Sequence, residues 1–255
     1  MFEKLFNLPN PLQILVDPAS LIVISIFFAL MLAEELFPGR ALPVVKLWRV
    51  KGICAFFIYF FVSSYLPLFW NEYLGAYQIF DLTILGDYWG AFLALFVYEL
   101  GVYFWHKGMH KNNILWRVFH QMHHSAERVD SYGAFFFSPA DMIGFTFLTS
   151  LAMVWICGFT PQATIYAIYG ATFLAVIQHA NLKTPQWMGY IFQRPESHSL
   201  HHAKGIHAYN YSDLPIFDIL FGTFKNPKEF SLDTGFYDGA SSKIREMILF
   251  KDINQ

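Results

Sequence analysis

Five stretches of the chain are long and apolar enough to cross a lipid bilayer, which takes about 20 mostly apolar residues. Inside hydrocarbon, each backbone polar group must be satisfied within its own segment, so such stretches fold as helices. The sequence therefore predicts an all-α, multi-pass membrane protein with about five membrane-embedded helices. The stretches are residues 19–37, 51–70, 88–105, 141–159 and 162–180. Because only two residues separate the last two, we expect a tight hairpin there that is either fully spanning or re-entrant.

The composition also indicates a membrane protein. Of 255 residues, 55% are hydrophobic and 14% are charged, whereas soluble domains carry about 25% charged residues. A net charge of −2 without any basic run argues against a nucleic-acid partner. Cys54 and Cys157 both lie in apolar stretches, so they predict neither a disulfide framework nor a zinc ribbon. We find no cleavable signal, repeat or linker, and expect residues 1–255 to form a single membrane domain.

Basic residues alternate between the connecting segments as the positive-inside rule requires. Residues 38–50 carry basic residues and no acid, whereas residues 71–87 carry acids and no basic residue. Basic residues return after the third and fifth stretches. This pattern predicts that the N-terminus faces outward and that the segments after the third and fifth stretches are cytoplasmic. We expect a bacterial inner membrane in preference to the endoplasmic reticulum.

All ten histidines lie in the second half of this pattern, between residues 106 and 207. Nine of them form three clusters and one isolated residue: His106 and His110; His120, His123 and His124; His179; and His198, His201 and His202. An α-helix turns about 100° per residue, so each cluster can aim its imidazoles at one point. The sequence predicts that all nine converge at the cytoplasmic boundary, with His207 as a tenth candidate.

Imidazole nitrogen suits iron, zinc, copper and nickel. One tetrahedral zinc ion takes four ligands, so nine or ten histidines are too many for it. They suit two metal ions of higher coordination number, with room for water or dioxygen. Two irons beside a bilayer are suited to oxidising unactivated C–H bonds in lipid chains. Zinc can replace iron in imidazole sites during purification.

Four polar residues are candidates for a supporting role. Glu99 lies two helical turns before His106 on the same face, where it could accept a hydrogen bond from a ligand imidazole. Asn210 could reach a metal through a water molecule or hold a turn. We take Glu99 and Asn210 as candidate catalytic residues. Asp130 and Asp218 have weaker support and could be ordinary surface acids.

Residues from about 90 to 227 resemble the fatty acid hydroxylase / sterol desaturase superfamily. The matching pieces are "YELGVYFWHKGMH", "LWRVFHQMHHSAERVD", "IQHANLKTP", "PESHSLHHAKG" and "NYSDLPIFDILFGTFKNP", in the order of the family. The resemblance implies a non-haem di-iron centre on the cytosolic face, with the nine clustered histidines as ligands. His207 matches the family pattern poorly. Glu99 stands where many relatives have aspartate, and the "LFGTFKNP" tail is interpreted as scaffolding.

The resemblance also implies a reaction. Members hydroxylate, desaturate or oxidatively demethylate lipids with dioxygen and delivered electrons, so we expect an oxygenase that takes a lipid from the bilayer. No histidine stands before His106 or after His207, so we expect no fused cytochrome b5 domain. Electrons would then come from a separate ferredoxin or cytochrome b5 and its reductase. The choice between hydroxylation and desaturation stays open, as does the lipid.

Two other classes of function are compatible with clustered histidines. A metal transporter or sensor would use them as a relay, but its ionisable ligands should lie along a path at mid-membrane. A bis-histidine haem protein needs histidine pairs that face each other within the bilayer. The histidines here collect at one boundary, which favours the oxygenase.

Overall fold

The structure, a computed structural model that describes residues 8–254, is built from helices. Four helical stretches in that range are long and apolar enough to cross a membrane: Pro18–Leu36, Trp48–Ala76, Thr83–Lys111 and Pro139–Ile156. Between residues 8 and 254 there is no strand, and one isolated bridge pairs Ala203 with Thr234. The prediction of an all-α, multi-pass membrane protein is confirmed.

The α-helices are numbered here in chain order. They are α1 (Pro11–Val16), α2 (Pro18–Leu36), α3 (Trp48–Tyr65), α4 (Pro67–Ala76), α5 (Gly86–Lys111), α6 (Asn113–Leu115), α7 (Gln121–His124), α8 (Pro139–Ser150), α9 (Pro161–His179), α10 (Pro195–His201), α11 (Pro215–Leu220) and α12 (Ile244–Ile248). Short 3-10 helices cover Thr83–Leu85, Ser131–Gly133, Gln186–Tyr190 and Ala240–Ser242. Two π-helices cover Trp116–His120 and Leu151–Ile156.

The fifth expected span is helix α9, which differs from the other four. It has 19 residues but is not among the helices whose length and composition fit a membrane span. Gln178 and His179 at its end, with glycine, threonine and tyrosine earlier, make it less apolar than the others. Of the five stretches expected to be embedded, four are therefore apolar enough to span a membrane. The fifth, α9, packs beside α2 and α5.

The starts of α8 and α9 are set by local sequence. Ser138 and Thr160 each accept a hydrogen bond from the backbone N–H three residues on, at 3.1 and 3.0 Å, and a proline follows each of them. A capping side chain followed by proline is a strong helix start. The two helices do not pair closely as expected, because both pack on α5 while α8 contacts α3 and α9 contacts α2.

The loop before α8 is buried between the spans. Its Phe135 ring lies 5.8 Å from the ring of Phe56 in α3, and Phe56 stacks on Phe27 of α2 at 4.0 Å. Helix α3 can approach this loop because residue 52 is glycine: a Cβ atom there would lie 2.2 Å from the carbonyl oxygen of Tyr132. The close packing holds the loop in place, and its Phe137 ring lies 4.8 Å from the ring of His123.

Candidate metal centre

Four separate elements bring the nine clustered histidines together. They come from the end of α5, from the π-helix and α7, from the end of α9, and from α10 with the residue after it. The π-helix ends at His120, so the chain turns more widely there than in an α-helix before α7 begins. The imidazoles converge, as expected from the sequence. The structure divides them into two groups.

The first group has five members whose ligand atoms all lie within 4.8 Å of one another: His106, His110, His120, His124 and His201. The Nε2 atoms of His106 and His120 are 2.9 Å apart. The Nε2 atoms of His110, His124 and His201 are buried and have no hydrogen-bond partner in the described part of the chain. Buried polar atoms without a partner are rare in proteins, and an ion is one of the accepted explanations.

The second group has four members that meet the same distance limit: His123, His179, His198 and His202. Their Nε2 atoms form a chain of contacts, His123 to His179 at 3.0 Å, His179 to His198 at 2.9 Å, and His198 to His202 at 3.0 Å. Two ligands at a right angle, each about 2.1 Å from a metal ion, lie about 3 Å apart. Both groups therefore fit a metal ion through imidazole nitrogen.

Backbone carbonyls fix the orientation of three rings. Nδ1 of His106 donates to the carbonyl of Tyr211 at 2.7 Å, and Nδ1 of His201 donates to that of Tyr209 at 2.7 Å. Nδ1 of His179 donates to the carbonyl of Ala175 at 2.6 Å. A proton on Nδ1 leaves the lone pair on Nε2, the atom that points into each group.

A carboxylate fixes a fourth ring. Oδ2 of Asp141, in the first turn of α8, lies 2.9 Å from Nδ1 of His120, and both side chains are buried. The sequence analysis missed Asp141, because it stood as one acid at the edge of an apolar stretch. The signal was available: its position right after the "SP" start of α8 places it at the histidine end of that helix.

The imidazoles outside the spans are held in the neutral, ligand form. Burial lowers the pKa of six rings well below the ordinary value, and the neighbouring imidazoles lower it further: His120, His123, His124, His198, His201 and His202. Since a metal binds neutral imidazole, no proton has to leave these rings at neutral pH.

His207 belongs to neither group. Its Nδ1 lies 3.1 Å from Nδ1 of His124, so it contacts a member of the first group from outside. Its backbone adopts φ 39°, in the left-handed region. The tenth candidate therefore supports a ring in the first group, and the structure does not place it among the ligands.

Glu99 does not hydrogen-bond to a histidine among residues 8–254, contrary to expectation. Its Oε2 accepts from Ser212 Oγ and from Asp213 N, both at 3.0 Å. These bonds hold the 209–213 segment, whose carbonyls at Tyr209 and Tyr211 orient two histidines. Glu99 thus acts on His106 through that segment, because the acid and the ring lie two turns apart along α5.

The 209–213 segment joins three ligand-bearing elements. Besides contacting His106 in α5 and His201 in α10, it reaches α9, where Gln178 Nε2 donates to Asp213 Oδ1 at 2.7 Å. Burial raises the pKa of the Asp213 carboxyl. The 209–213 segment precedes the "LFGTFKNP" tail that was predicted to be scaffolding, and its contacts hold histidines of both groups in place.

Asn210 holds a turn, which is the second of the two roles considered for it. Its Nδ2 donates to the carbonyls of Ser197 and Lys225, both at 3.0 Å, and its Oδ1 accepts from Lys225 N at 2.8 Å. Its φ of 51° suits asparagine, which tolerates the left-handed region. Both hydrogen bonds from Nδ2 and the one to Oδ1 go to the backbone, so the side chain ties the 209–213 segment to Ser197 and Lys225.

The two weaker candidates are also structural. Asp218 accepts from Tyr211 N and Ser212 N, both at 2.9 Å, so it holds the 209–213 segment together with Glu99. Asp130 accepts from Trp48 Nε1 at 2.8 Å and pairs with Arg128. Both carboxyls are buried, so neither is an ordinary surface acid.

Glu34 is a further buried acid that the sequence analysis missed. From the end of α2, its Oε2 accepts from Ser131 N, from Ser131 Oγ and from Asn181 N at 2.8, 2.8 and 2.9 Å. Asn181 follows His179 by two residues, so Glu34 anchors the chain just beyond a histidine of the second group. An acid near the end of an apolar span was the available signal.

Comparison with known proteins identifies relatives of this region. A family model described as "Fatty acid hydroxylase" matches residues 91–223. Sphinganine C4-monooxygenase 2 of Arabidopsis thaliana is 29% identical over 137 residues, covering 52% of this chain and 52% of that protein. Sphingolipid C4-hydroxylase sur2 of Schizosaccharomyces pombe is 29% identical over 143 residues, covering 54% and 48%.

A third relative carries another name. Very-long-chain aldehyde decarbonylase GL1-9 of Oryza sativa subsp. japonica is 27% identical over 139 residues, covering 51% of this chain and 52% of that protein. The chain thus spans about half the length of the curated relatives it matches. No solved structure matches it. The matched region contains all nine clustered histidines and the 209–213 segment.

Proposed function

The chain belongs to the fatty acid hydroxylase family, and we propose on that premise that it is a membrane-bound lipid oxygenase with two iron ions. One observation carries the proposal: nine buried histidines form two groups, of five and four, whose ligand atoms lie within 4.8 Å of one another. Imidazole sites of this kind suit iron. The bound irons would supply the activation of dioxygen.

The residues of this chain would hold and orient the site. The first group would hold one iron through His106, His110, His120, His124 and His201, and the second would hold the other through His123, His179, His198 and His202. Asp141 and the carbonyls of the 209–213 segment keep Nε2 free for the metal. Their burial excludes bulk water, which protects a reactive site from side reactions.

The substrate would be a lipid taken from the bilayer. The relatives' names refer to sphinganine, sphingolipid and very-long-chain aldehyde, and four helices of this chain fit a membrane span. We propose hydroxylation, with desaturation as the other outcome of the same hydrogen removal. Dioxygen is the co-substrate, and a separate ferredoxin or cytochrome b5 with its reductase supplies electrons. The histidine end would face the cytoplasm.

A lipidome comparison tests this proposal. Cells that express the wild type should accumulate a lipid heavier by one oxygen, and cells that express His123→Ala should not. A matched control, Lys111→Ala, changes an exposed residue at the end of α5 and should leave the product unchanged. A product lighter by two hydrogens would replace hydroxylation by desaturation. No change in any lipid on wild-type expression, with iron and the electron donor present, would refute the proposal.

The metal transporter or sensor is less well supported by the geometry. A transport path needs ligands at successive depths across the membrane. The histidines instead form two compact groups. Each of the five rings in the first group lies within 5 Å, centroid to centroid, of another ring of that group, as at His106 with His120 and at His110 with His124 and His201. Compact groups retain ions, whereas a path has to release them.

A further inference from the structure

A cavity of about 340 Å³ lies within the helical bundle, in the range of about 300–1,000 Å³ that is usual for ligand sites. Its walls come from α2, α3, α4, α5, α8, α9 and the π-helix that follows α8. Because it lies between α8 and α9, these two helices pack on α5 and hardly on each other. The cavity is therefore a feature of the fold.

One end of the cavity reaches the second histidine group. Ala175 lines the cavity, and its carbonyl accepts the Nδ1–H of His179 at 2.6 Å. Tyr59 also lines it, and the ring of Phe137 stands between Tyr59 and His123, 5.7 Å from the first and 4.8 Å from the second. A molecule at this end is one aromatic ring away from the histidines.

The other end lies toward the opposite face of the bundle. It is lined by Ser64 near the end of α3 and by Thr164 in the first turn of α9. From Ala175 to Thr164, α9 extends about 16 Å at 1.5 Å per residue. That length is close to one leaflet, half of a hydrocarbon core of about 30 Å. It suits one extended lipid chain.

The hydroxyl groups in the walls are mostly satisfied by their own helices. Ser64 Oγ donates to the carbonyl of Phe60 at 2.7 Å, and Thr146 Oγ1 donates to that of Met142 at 2.7 Å. Thr149 does the same within α8. The small serine and threonine side chains thus leave open space, while their hydroxyl groups donate to backbone carbonyls of their own helices. The walls therefore suit methylene groups better than a polar ligand.

Resting on the proposed function, we propose that this cavity receives the straight hydrocarbon tail of the lipid substrate, with its polar head at the histidine end. The oxidised carbon then has a fixed position counted from the head, and Ser64 and Thr164 limit the chain length. The opposite orientation would place the head near Asn71 at the far end, whose buried Oδ1 has no partner among residues 8–254, and would fix the oxidised carbon by its distance from the methyl end of the chain.

Two substitutions that shorten the cavity test the inference. Ser64→Phe and Thr164→Phe fill its far end from different helices. The matched control, Ile58→Phe, adds a ring on the face of α3 where residue 58 is 54% exposed. The readouts are the position and chain length of oxidised lipids in expressing cells, and the binding of saturated straight-chain fatty acids of graded length to the purified full chain, followed by thermal shift.

We expect both variants to lose the longest chains by about tenfold or more, since one methylene in an apolar pocket changes discrimination by about 10–200-fold. Shorter chains should still bind and be oxidised at the same carbon counted from the head. An unchanged length limit, or a shift of the oxidised carbon along the chain, would overturn the inference. If no lipid is oxidised by the wild type while the binding limit shortens as expected, the proposed function fails and the cavity assignment stands.

Discussion

The Oδ2 atom of Asp141 lies 2.9 Å from Nδ1 of His120, and the side chains are 0% and 2% exposed. This contact joins a membrane-spanning helix to the π-helix that carries a histidine of the first group. A carboxylate behind a ligand imidazole raises its basicity and fixes its tautomer. The ring of His120, which lies outside the spans, is therefore positioned by a residue of the spanning helix α8.

Asp141→Ala should weaken metal binding by about 10–100-fold, the usual cost of removing such a partner. Asp141→Asn keeps an oxygen that can accept from Nδ1–H. Its metal affinity should therefore lie between that of the wild type and that of Asp141→Ala. The measurement is metal retained per chain during titration with a chelator. Asp87→Ala, which changes an acid at the start of α5, serves as the control. Equal retention by wild type and Asp141→Ala would contradict the role.

Glu99→Leu should disturb the metal centre from two turns away. The change leaves Asp213 N without its acceptor, at about 1–3 kcal/mol for a buried donor, and leaves Ser212 Oγ with only the backbone carbonyl of residue 99. Glu99→Gln retains an amide oxygen as acceptor and should restore most of the stability and metal content. We would measure thermal unfolding and metal content together. Wild-type values for Glu99→Leu would show that the 209–213 segment is held without it.

His207→Asn should keep both metal ions, because His207 lies outside the two groups. Asparagine is chosen because it tolerates the φ of 39° at this position. His124→Ala, by contrast, should remove the ion of the first group. Metal analysis of the two purified variants makes the comparison. Loss of an ion in His207→Asn would restore His207 to the ligand set.

Glu34→Leu should destabilise the fold. It removes the acceptor of three hydrogen bonds from Ser131 and Asn181, and each unsatisfied buried donor costs about 1–3 kcal/mol. The adjacent Glu35→Leu is the control, since its ion pair with Arg49 is exposed and such pairs contribute about 0–1 kcal/mol. Thermal unfolding in detergent should show a clear loss for the first variant only; equal losses would contradict this reading.

Much of the fold could be predicted from the sequence, because hydrocarbon allows few solutions. A stretch such as 19–37 has no alternative to a helix. Helix α9 was harder: its 19 residues look like a span, yet it packs beside α5 and α2 and is less apolar than the others. Length alone does not separate a lipid-facing helix from one packed among its neighbours.

The candidate site, like the fold, could be predicted from the sequence only in part. The convergence of the histidines followed from their spacing, since i and i+4 share a helical face. The split into two groups did not, because it depends on how separate elements pack, as when His123 joins His179 while its neighbour His124 joins His110. The role of Tyr211 was hidden, since a carbonyl acceptor has no sequence signature. For Asp141 the signal was its position just after the "SP" start of α8.

The central claim is that two groups of histidines hold two metal ions, and metal counting tests it most directly. The full chain, purified from iron-supplemented cells without chelator, is analysed for iron and zinc together, alongside His110→Ala for the first group and His198→Ala for the second. We expect two ions per wild-type chain and about one in each variant. One ion or none in a folded wild-type chain, or two ions in both variants, would contradict the account.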